Sequence, residues 1–242
     1  MKILYAGDSP AGGPANYLLG ILRFIKADFI HIPPSKTLKP GLLKKNFDAI
    51  ILSDFSRKRV PAISQELIAK KVNGGMGLLM IGGWGSFSGP FGKWHGSLIE
   101  KILPVSCLNR DDRINFPGGA WIVQKRKHAS LRDASFKNPP VICGLNKVIP
   151  KKNSEVLLCA KKIPPPNLSS SYAAEYPLLL IDRDPRKRIA ALTTDLAPHW
   201  CGGLVDWGSR RLKLPVKGNI SVEVGNLYVR FISSLLTWLY SA

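Results

Sequence analysis

Residues 78–89 read LLMIGGWGSFSG, an apolar run that stops at two adjacent glycines. A short apolar run bounded by glycines is typical of a strand buried inside a parallel sheet. In many α/β enzymes, a catalytic nucleophile follows such a strand, on the sharp turn that leads into the next helix. The stretch therefore predicts a central strand, and it makes the turn at Gly82 and Gly83 the first place to look for a functional site.

Strands and helices alternate on the N-terminal side of this stretch. Apolar runs predict strands at residues 2–7, 27–32, 47–52 and 77–81. Helical periodicity predicts helices at residues 16–25 and 62–72. Alternating elements of these lengths specify a parallel sheet with helices on both faces. The fold class is therefore α/β.

The second half of the sequence is richer in β structure. A helix is predicted at residues 96–103, and strands are predicted at residues 120–124, 155–160, 178–181 and 189–193. The last two strands are joined by DRDPRKR, whose Asp and Pro residues favour a hairpin-like turn. A helix at residues 224–240 closes the chain. No change in composition separates these parts, so we expect residues 1–242 to form a single domain.

Composition narrows the class of protein. The chain is 45% hydrophobic and 21% charged, which favours a globular fold over long disorder. Its N-terminus lacks the apolar core of a signal peptide, and its most apolar C-terminal stretch is too short to span a bilayer. The four cysteines show no CxxC spacing, which disfavours a metal site. We therefore expect a cytoplasmic protein without a membrane segment, metal or cofactor.

The net charge of +19 suggests anionic partners. Its basic residues are spread over both halves of the chain, and they lack the interleaved aromatic residues that stack on single-stranded bases. The pattern therefore favours a solvated basic surface over a nucleic-acid site, and anion or nucleic-acid binding remains an alternative function.

Polar residues follow several of the predicted strands. In open α/β sheets, ligands bind outside the carboxyl ends of the strands, where the loops converge. The candidate ligand-binding residues in these loops and at the start of the first helix are Asp8, Ser9, Asn16, Asp54, Gly83 and Trp84. We expect them to approach one edge of the sheet and to bind a small polar ligand.

Residues 193–208, TTDLAPHWCGGLVDWG, form the most unusual segment of the chain. This segment is expected to be a loop and contains two tryptophans. Large aromatic side chains on a surface usually mark a contact or a binding site, because exposed aromatic surface is costly. Three residues here are further ligand-binding candidates: Trp200, Asp206 and Trp207. The alternatives are a ligand site, packing within the loop, or a subunit interface, which would make the protein a homo-oligomer.

Several blocks of the sequence together resemble a known family. These blocks are LYAGDSPAGGPANYLLG, LSDF, LLMIGGWGSFSG, IEKILPV, DDRIN, ALTTDLAPHWCGGLVDWG and GNLYVRF. They are similar to the glutamine amidotransferase-like family of uncharacterised cytoplasmic proteins, over nearly the whole chain. The resemblance implies the class I glutamine amidotransferase-like superfamily and a flavodoxin-like three-layer α/β/α sandwich with a mostly parallel sheet, to which the second half adds β-rich elements.

The sequence departs from the catalytic pattern of that superfamily. Active class I amidotransferases carry a cysteine on the turn in a C-x-G pattern, and a histidine in an HPE motif after a late strand. Here the C-x-G pattern falls on Gly83-Trp84-Gly85, and Thr194-Asp195 stands where the histidine is expected. These two departures therefore predict a relative without glutaminase activity.

A hydrolase acting on an amide or ester is the competing function. Ser86 could serve as its nucleophile, with His199 or His95 as the base and with Asp195, Asp54 or Asp206 orienting the base. Alternatively, His199 could activate a water molecule. The flanking residues lack the G-x-S-x-G spacing of a serine nucleophile, which weakens the case for Ser86.

Overall fold

The computed structural model describes residues 1–9, 13–164 and 174–241. This part of the chain contains thirteen strands and six α-helices. The strands are β1 (Lys2–Gly7), β2 (Asp28–Ile32), β3 (Ala49–Ser53), β4 (Gly77–Ile81), β5 (Val105–Cys107), β6 (Arg113–Gln124), β7 (Val141–Asn146), β8 (Val148–Pro150), β9 (Ser154–Lys162), β10 (Glu175–Asp182), β11 (Ile189–Leu192), β12 (Arg211–Lys217) and β13 (Ile220–Gly225). The helices are α1 (Ala15–Phe24), α2 (Pro40–Leu43), α3 (Ala62–Asn73), α4 (Leu98–Ile102), α5 (Pro198–Cys201) and α6 (Asn226–Tyr240).

Nine of these strands form one mixed sheet in the order β2-β1-β3-β4-β11-β10-β9-β6-β7. The five strands from β2 to β11 run parallel. The remaining pairings, from β11 to β7, are antiparallel. The α/β class and the β-rich additions expected from the sequence are confirmed. The parallel strands are those whose apolar runs alternate with helices, together with the late strand β11.

Side chains of β1 show how the sheet separates two apolar cores. Ile3 and Tyr5 pack on one face with α1 and α6, whereas Leu4 and Ala6 pack on the other face with α2 and α3. This alternation follows from the period of two residues in a strand. Helices therefore cover both faces of the parallel half, as in a three-layer sandwich. None of the helices in the described ranges combines the length and the apolar character needed to cross a membrane.

The structure also contains strands that the sequence pattern does not predict. β7 includes Gly144, and β5 and β8 are only three residues long, so none of these three strands shows a clear apolar period.

The hairpin of β12 and β13 packs across α1, where a Cβ atom on Gly20 would lie 3.0 Å from Cβ of Leu214. A glycine in α1 thus permits this close approach.

Candidate functional site

The carboxyl ends of the parallel strands meet at one edge of the sheet. Gly7 of β1 pairs with Ser53 of β3, and Ser53 pairs with Ile81 of β4. Ile81 also pairs with Leu192 of β11. The residues that directly follow these four strands are therefore neighbours at this edge, which brings the loops of Asp8, Asp54, Gly83 and Asp195 together.

Gly83 and Asp54 occupy the centre of this edge. Gly83 has a φ angle of +147°, and a Cβ atom placed on it would lie 2.5 Å from Oδ1 of Asp54 and 2.9 Å from its Cγ. The backbone N–H of Gly85 donates a hydrogen bond to Oδ1 of Asp54. Asp54 itself has a φ angle of 50°, in the left-handed region that side chains rarely adopt. The Asp54 carboxylate therefore fills the space that a side chain at position 83 would need.

The side chain of Asn146, at the end of β7, holds Gly83 from the antiparallel half of the sheet. Gly83 N–H donates to Oδ1 of Asn146 at 2.9 Å, and Nδ2 of Asn146 donates to the Gly83 carbonyl at 3.2 Å. The same Nδ2 donates to Oδ1 of Asp112 at 2.7 Å, and the Ser88 N–H donates to the other Asp112 oxygen at 2.6 Å. Burial raises the pKa of Asp112 to about 6. These four groups fix the turn after β4.

Ser86 lies within this turn and is buried. Its hydroxyl donates to the Ile81 carbonyl at 2.5 Å and accepts the Asp54 N–H at 3.0 Å. These two bonds link the end of β4 to the loop that follows β3. Within the described residues, no histidine hydrogen-bonds to Ser86.

Asp8 and Asp195 form an acidic pair beside Asp54. Tyr5 donates its hydroxyl to Oδ2 of Asp8 at 2.5 Å. Burial, followed by the negative charge of Asp195, raises the pKa of Asp8 well above its usual value. Burial also raises the pKa of Asp195, against the opposing effect of hydrogen bonds from the backbone N–H groups of Ala197 and Leu196. Burial and mutual repulsion therefore both oppose full ionisation of this pair.

Three buried side-chain oxygens, one of which belongs to this pair, have unused hydrogen-bonding capacity. Oδ1 of Asp8, Oδ1 of Asn16 and Oγ of Ser53 have no hydrogen-bond partner within the part of the chain that the structure describes. Burying a polar atom without a partner costs about 1–3 kcal/mol, and functional sites are one place where such a cost is retained. The acidic edge can therefore accept additional hydrogen bonds.

A cavity of about 630 Å³ opens above Asp8 and Asp54. The residues around it combine carboxyl, hydroxyl, cationic and apolar groups. Its lining includes Asp8, Ser9, Pro14, Pro34, Asp54, Ser56, Lys58, Arg59, Gly85, Pro90, Phe91 and Lys93. We call this space the edge cavity. Its volume is within the range of small-molecule sites.

An exposed aromatic group lies beside the edge cavity. The Trp84 ring stacks on Phe91 with 6.5 Å between the ring centroids. The centroid of the His199 ring lies 6.2 Å from that of Trp84. The Arg113 guanidinium lies 4.3 Å from the centre of the Trp84 ring. Trp84 and His199 are therefore on the same side of the sheet edge. Burial raises the pKa of Asp54, against the opposing effects of the hydrogen bond from the Gly85 N–H and of His199.

Residues 42–216, more than half of the chain, match the family described as "Putative glutamine amidotransferase". The chain belongs to this family. The resemblance drawn from the sequence blocks is thereby confirmed at the level of the family.

Solved structures support the fold of this amidotransferase family member. Cytoplasmic Protein STM1381 from Salmonella typhimurium LT2 is 27% identical, with 84% of this chain and 91% of that chain covered and a TM-score of 0.67. Cytoplasmic Protein STM3548 from Salmonella typhimurium is 20% identical, with coverage of 99% and 98% and a TM-score of 0.69. A β-galactosidase from Rahnella sp. R3 shares the fold alone, at 9% identity and a TM-score of 0.52, and this chain corresponds to 30% of its length. No curated protein is significantly similar to the chain.

The tryptophans of the 193–208 segment lie apart from the edge cavity of this amidotransferase family member. Trp200 is buried against Gly144, and its Nε1 donates to Oδ1 of Asn115 at 2.9 Å. Trp207 is buried against Phe136, and its Nε1 donates to the carbonyl of Asn138 at 2.9 Å. Asp206 is exposed and pairs with Arg211. The chain itself thus covers the two tryptophans that suggested a subunit contact.

Three of the four cysteines of this family member are poorly suited to nucleophilic attack. Burial raises the pKa of the thiols of Cys107, Cys159 and Cys201, so each is protonated at neutral pH. A protonated thiol is a weak nucleophile. In the residues that the structure describes, no group of three or more His, Cys, Asp or Glu side chains is arranged to hold a metal ion.

Sequence reasoning missed Asn146 and Asp112 as positioning residues of the turn. Asp112 lies in the block DDRIN, which contributed to the family resemblance without suggesting a role. Asn146 ends a strand that the apolar pattern did not reveal. Only the pairing of β7 in the antiparallel half places the Asn146 amide beside Gly83.

Proposed function

We propose that this chain is a glutamine amidotransferase-like protein without glutaminase activity, and that it binds a small polar ligand in the edge cavity. The observation that carries the proposal is the position of the Asp54 carboxylate, which fills the space beside Gly83. The names of the two Salmonella proteins support a cytoplasmic location for this chain as well.

The chemistry of glutamine hydrolysis supports the first part of this proposal. Attack on an amide by a covalent mechanism needs an activated nucleophile held at the turn. Position 83 is a glycine, and the groups nearest to it are a carboxylate and the amide of Asn146. The three cysteines whose thiols have a raised pKa do not line the edge cavity. Nothing at the turn can therefore form the thioester intermediate.

The composition of the edge cavity supports the second part. Asp8 and Asp54 supply hydrogen-bonding groups at its floor, while cationic side chains surround its opening. A concave site with a few converging polar groups is the usual form of a small-molecule site. Asp8, Ser9 and Asp54 line it directly, and Trp84, Asp195 and His199 belong to the surrounding edge.

Ammonia release from glutamine tests the absence of glutaminase activity. We expect the purified protein to release no more ammonia than buffer, both before and after alkylation with iodoacetamide. A variant with Gly83→Cys should also remain inactive, because Asp54 occupies the space for the thiol. Ammonia release by the wild type that alkylation abolishes would contradict the proposal.

Hydrolysis by a water molecule near His199 is a second candidate function. The observation that favours it is the position of the His199 imidazole, whose ring lies 6.2 Å from the Trp84 ring at the same sheet edge as the half-buried Asp54 carboxyl. The two hydrogen bonds of Ser86 favour a structural role for its hydroxyl. A panel of ester and amide substrates should therefore show activity lost in His199→Ala and retained in Ser86→Ala. Equal rates for the wild type and both variants would remove this candidate.

A further inference from the structure

Two loops that border the edge cavity are fixed to each other. The basic loop, residues 56–59, carries Lys58 and Arg59, and the aromatic loop, residues 89–96, carries Phe91 and Lys93. The Arg57 N–H donates to the Gly92 carbonyl at 3.0 Å, and Nη1 of Arg57 donates to the His95 carbonyl at 3.0 Å. Both loops therefore keep their positions relative to the cavity, and the side chains at its opening project from a fixed frame.

Three cationic side chains converge on the opening of the edge cavity. Lys58, Arg59 and Lys93 all line it, and none of them forms an ion pair within residues 1–9, 13–164 and 174–241. Beneath them lie the carboxyl groups of Asp8 and Asp54, and burial raises the pKa of both, which disfavours their negative charge. The positive charge at the opening is therefore only partly balanced, and it favours a ligand group with more than one negative charge.

The remaining groups that line the cavity suit a hydroxylated ring. Asp8 and Asp54 offer oxygens that can accept hydrogen bonds, and a protonated carboxyl can also donate one. Phe91 is 63% exposed and lines the cavity, and Pro34 and Pro90 add further apolar surface. Flat apolar faces of this kind pack against rings, while carboxyl groups bind the hydroxyls at the ring edge.

We infer that the edge cavity binds a phosphate monoester of a hydroxylated ring, with the phosphate at Lys58, Arg59 and Lys93 and the ring between Phe91 and the acidic floor. This inference rests on the proposed function, because it names the class of ligand for the same cavity. Sugar monophosphates and nucleoside monophosphates share this chemistry. Only the nucleotide adds a base that can stack on Phe91.

Calorimetric titration of the whole protein tests the inference. The ligands are ribose monophosphate, adenosine monophosphate, ribose, adenosine and inorganic phosphate. The variants are Arg59→Gln and Lys93→Gln, with Lys213→Gln as the control because it removes one positive charge from an exposed position on β12. We expect a phosphorylated ligand to bind the wild type, and each cavity variant to weaken binding about tenfold, while the control binds like the wild type. Phe91→Ala should weaken the binding of both esters, and a larger loss for adenosine monophosphate than for ribose monophosphate would assign the ligand as a nucleotide.

Different failures have different meanings in this experiment. Equal binding of ribose and ribose monophosphate, lost in Asp8→Asn, would overturn the inference and leave the proposed small-ligand site standing. Equal binding of inorganic phosphate and both esters would also overturn the inference, because it would show a site for a free anion only. An equal loss in Lys213→Gln and Arg59→Gln would show that net charge alone drives binding. No binding of any of these ligands or of glutamine would count against both proposals.

Discussion

A Cβ atom on Gly83 would lie 2.5 Å from Oδ1 of Asp54, closer than Cβ contacts come in proteins. The two residues follow the neighbouring strands β4 and β3, and each has a positive φ angle. The turn after β4 and the loop after β3 are therefore complementary: a carboxylate is present where the other loop has no side chain.

Gly83→Ala should destabilise the fold for two separable reasons. The backbone strain of a positive φ angle costs about 1–3 kcal/mol, and the clash with Asp54 adds about 1–3 kcal/mol. Gly75→Ala is the matched control, because Gly75 has a φ angle of +103° but no atom within 4 Å of its added Cβ. Urea unfolding should show a larger loss for Gly83→Ala than for Gly75→Ala. The excess should shrink in an Asp54→Ala background, and equal losses in the two glycine variants would show that the Asp54 contact is unimportant.

Stability should depend on pH through Asp112. Its pKa is about 6 in the folded protein and 3.8 in the reference state, so between these values the folded state holds a proton that the unfolded chain has released. The free energy of unfolding therefore falls as pH rises through this window, by up to about 1.4 kcal/mol per pH unit.

Denaturant unfolding of Asp112→Asn at several pH values measures this effect. The variant loses an acceptor for the Ser88 N–H and will be less stable throughout, but its stability should fall less between pH 4 and 6 than that of the wild type. Asp111→Asn is the control, since Asp111 is exposed and hydrogen bonds from Arg113 lower its pKa. Parallel pH profiles for the wild type and Asp112→Asn would contradict the assignment.

Lys151→Met should destabilise the end of α4. Nζ of Lys151 donates to the carbonyls of Glu100, Lys101 and Leu103 at 2.6, 3.0 and 2.9 Å. Loss of the ammonium leaves these carbonyls without that donor, which should cost about 1–3 kcal/mol. The exposed neighbour Lys152→Met should change stability by less than about 0.5 kcal/mol. Similar thermal midpoints for the two variants would argue against this cap.

Tyr5→Phe should weaken the acidic edge. The hydroxyl of Tyr5 is a donor to Asp8, and its removal leaves a buried carboxyl oxygen without a partner, at a cost of about 1–3 kcal/mol. Tyr240→Phe, near the end of α6, serves as the control because its side chain is 37% exposed. Chemical denaturation should distinguish the two. If Tyr5→Phe is as stable as the wild type, the Asp8 carboxyl has found another partner or a water molecule.

The parallel half of the fold could be derived from the sequence because most of its strands are continuous apolar runs between turn signals, with β2 as the exception. The same rule places Asp8, Asp54 and Gly83 at one edge, since they directly follow parallel strands. The residues that hold the turn could not be found in this way. Asn146 and Asp112 come from the antiparallel half, where strand order depends on long-range pairing that local patterns do not encode.

The cationic opening of the edge cavity shows a similar limit. Arg57-Lys58-Arg59 is visible in the sequence as a basic cluster, but nothing local indicates that Lys93 and Phe91 join it. Hydrogen bonds from the Arg57 backbone and side chain to the aromatic loop make that connection. Surface charge could thus be read from the sequence, whereas its convergence on one cavity could not.

The position of β11 between β4 and β10 has a consequence for synthesis of the protein. On the ribosome, β1 to β4 emerge well before the strand that covers the free side of β4. During that interval the nascent chain presents an apolar strand edge, which is a template for pairing with other chains. We therefore expect chaperone dependence to be greatest before residues 189–192 have been translated, and to fall once this strand has inserted.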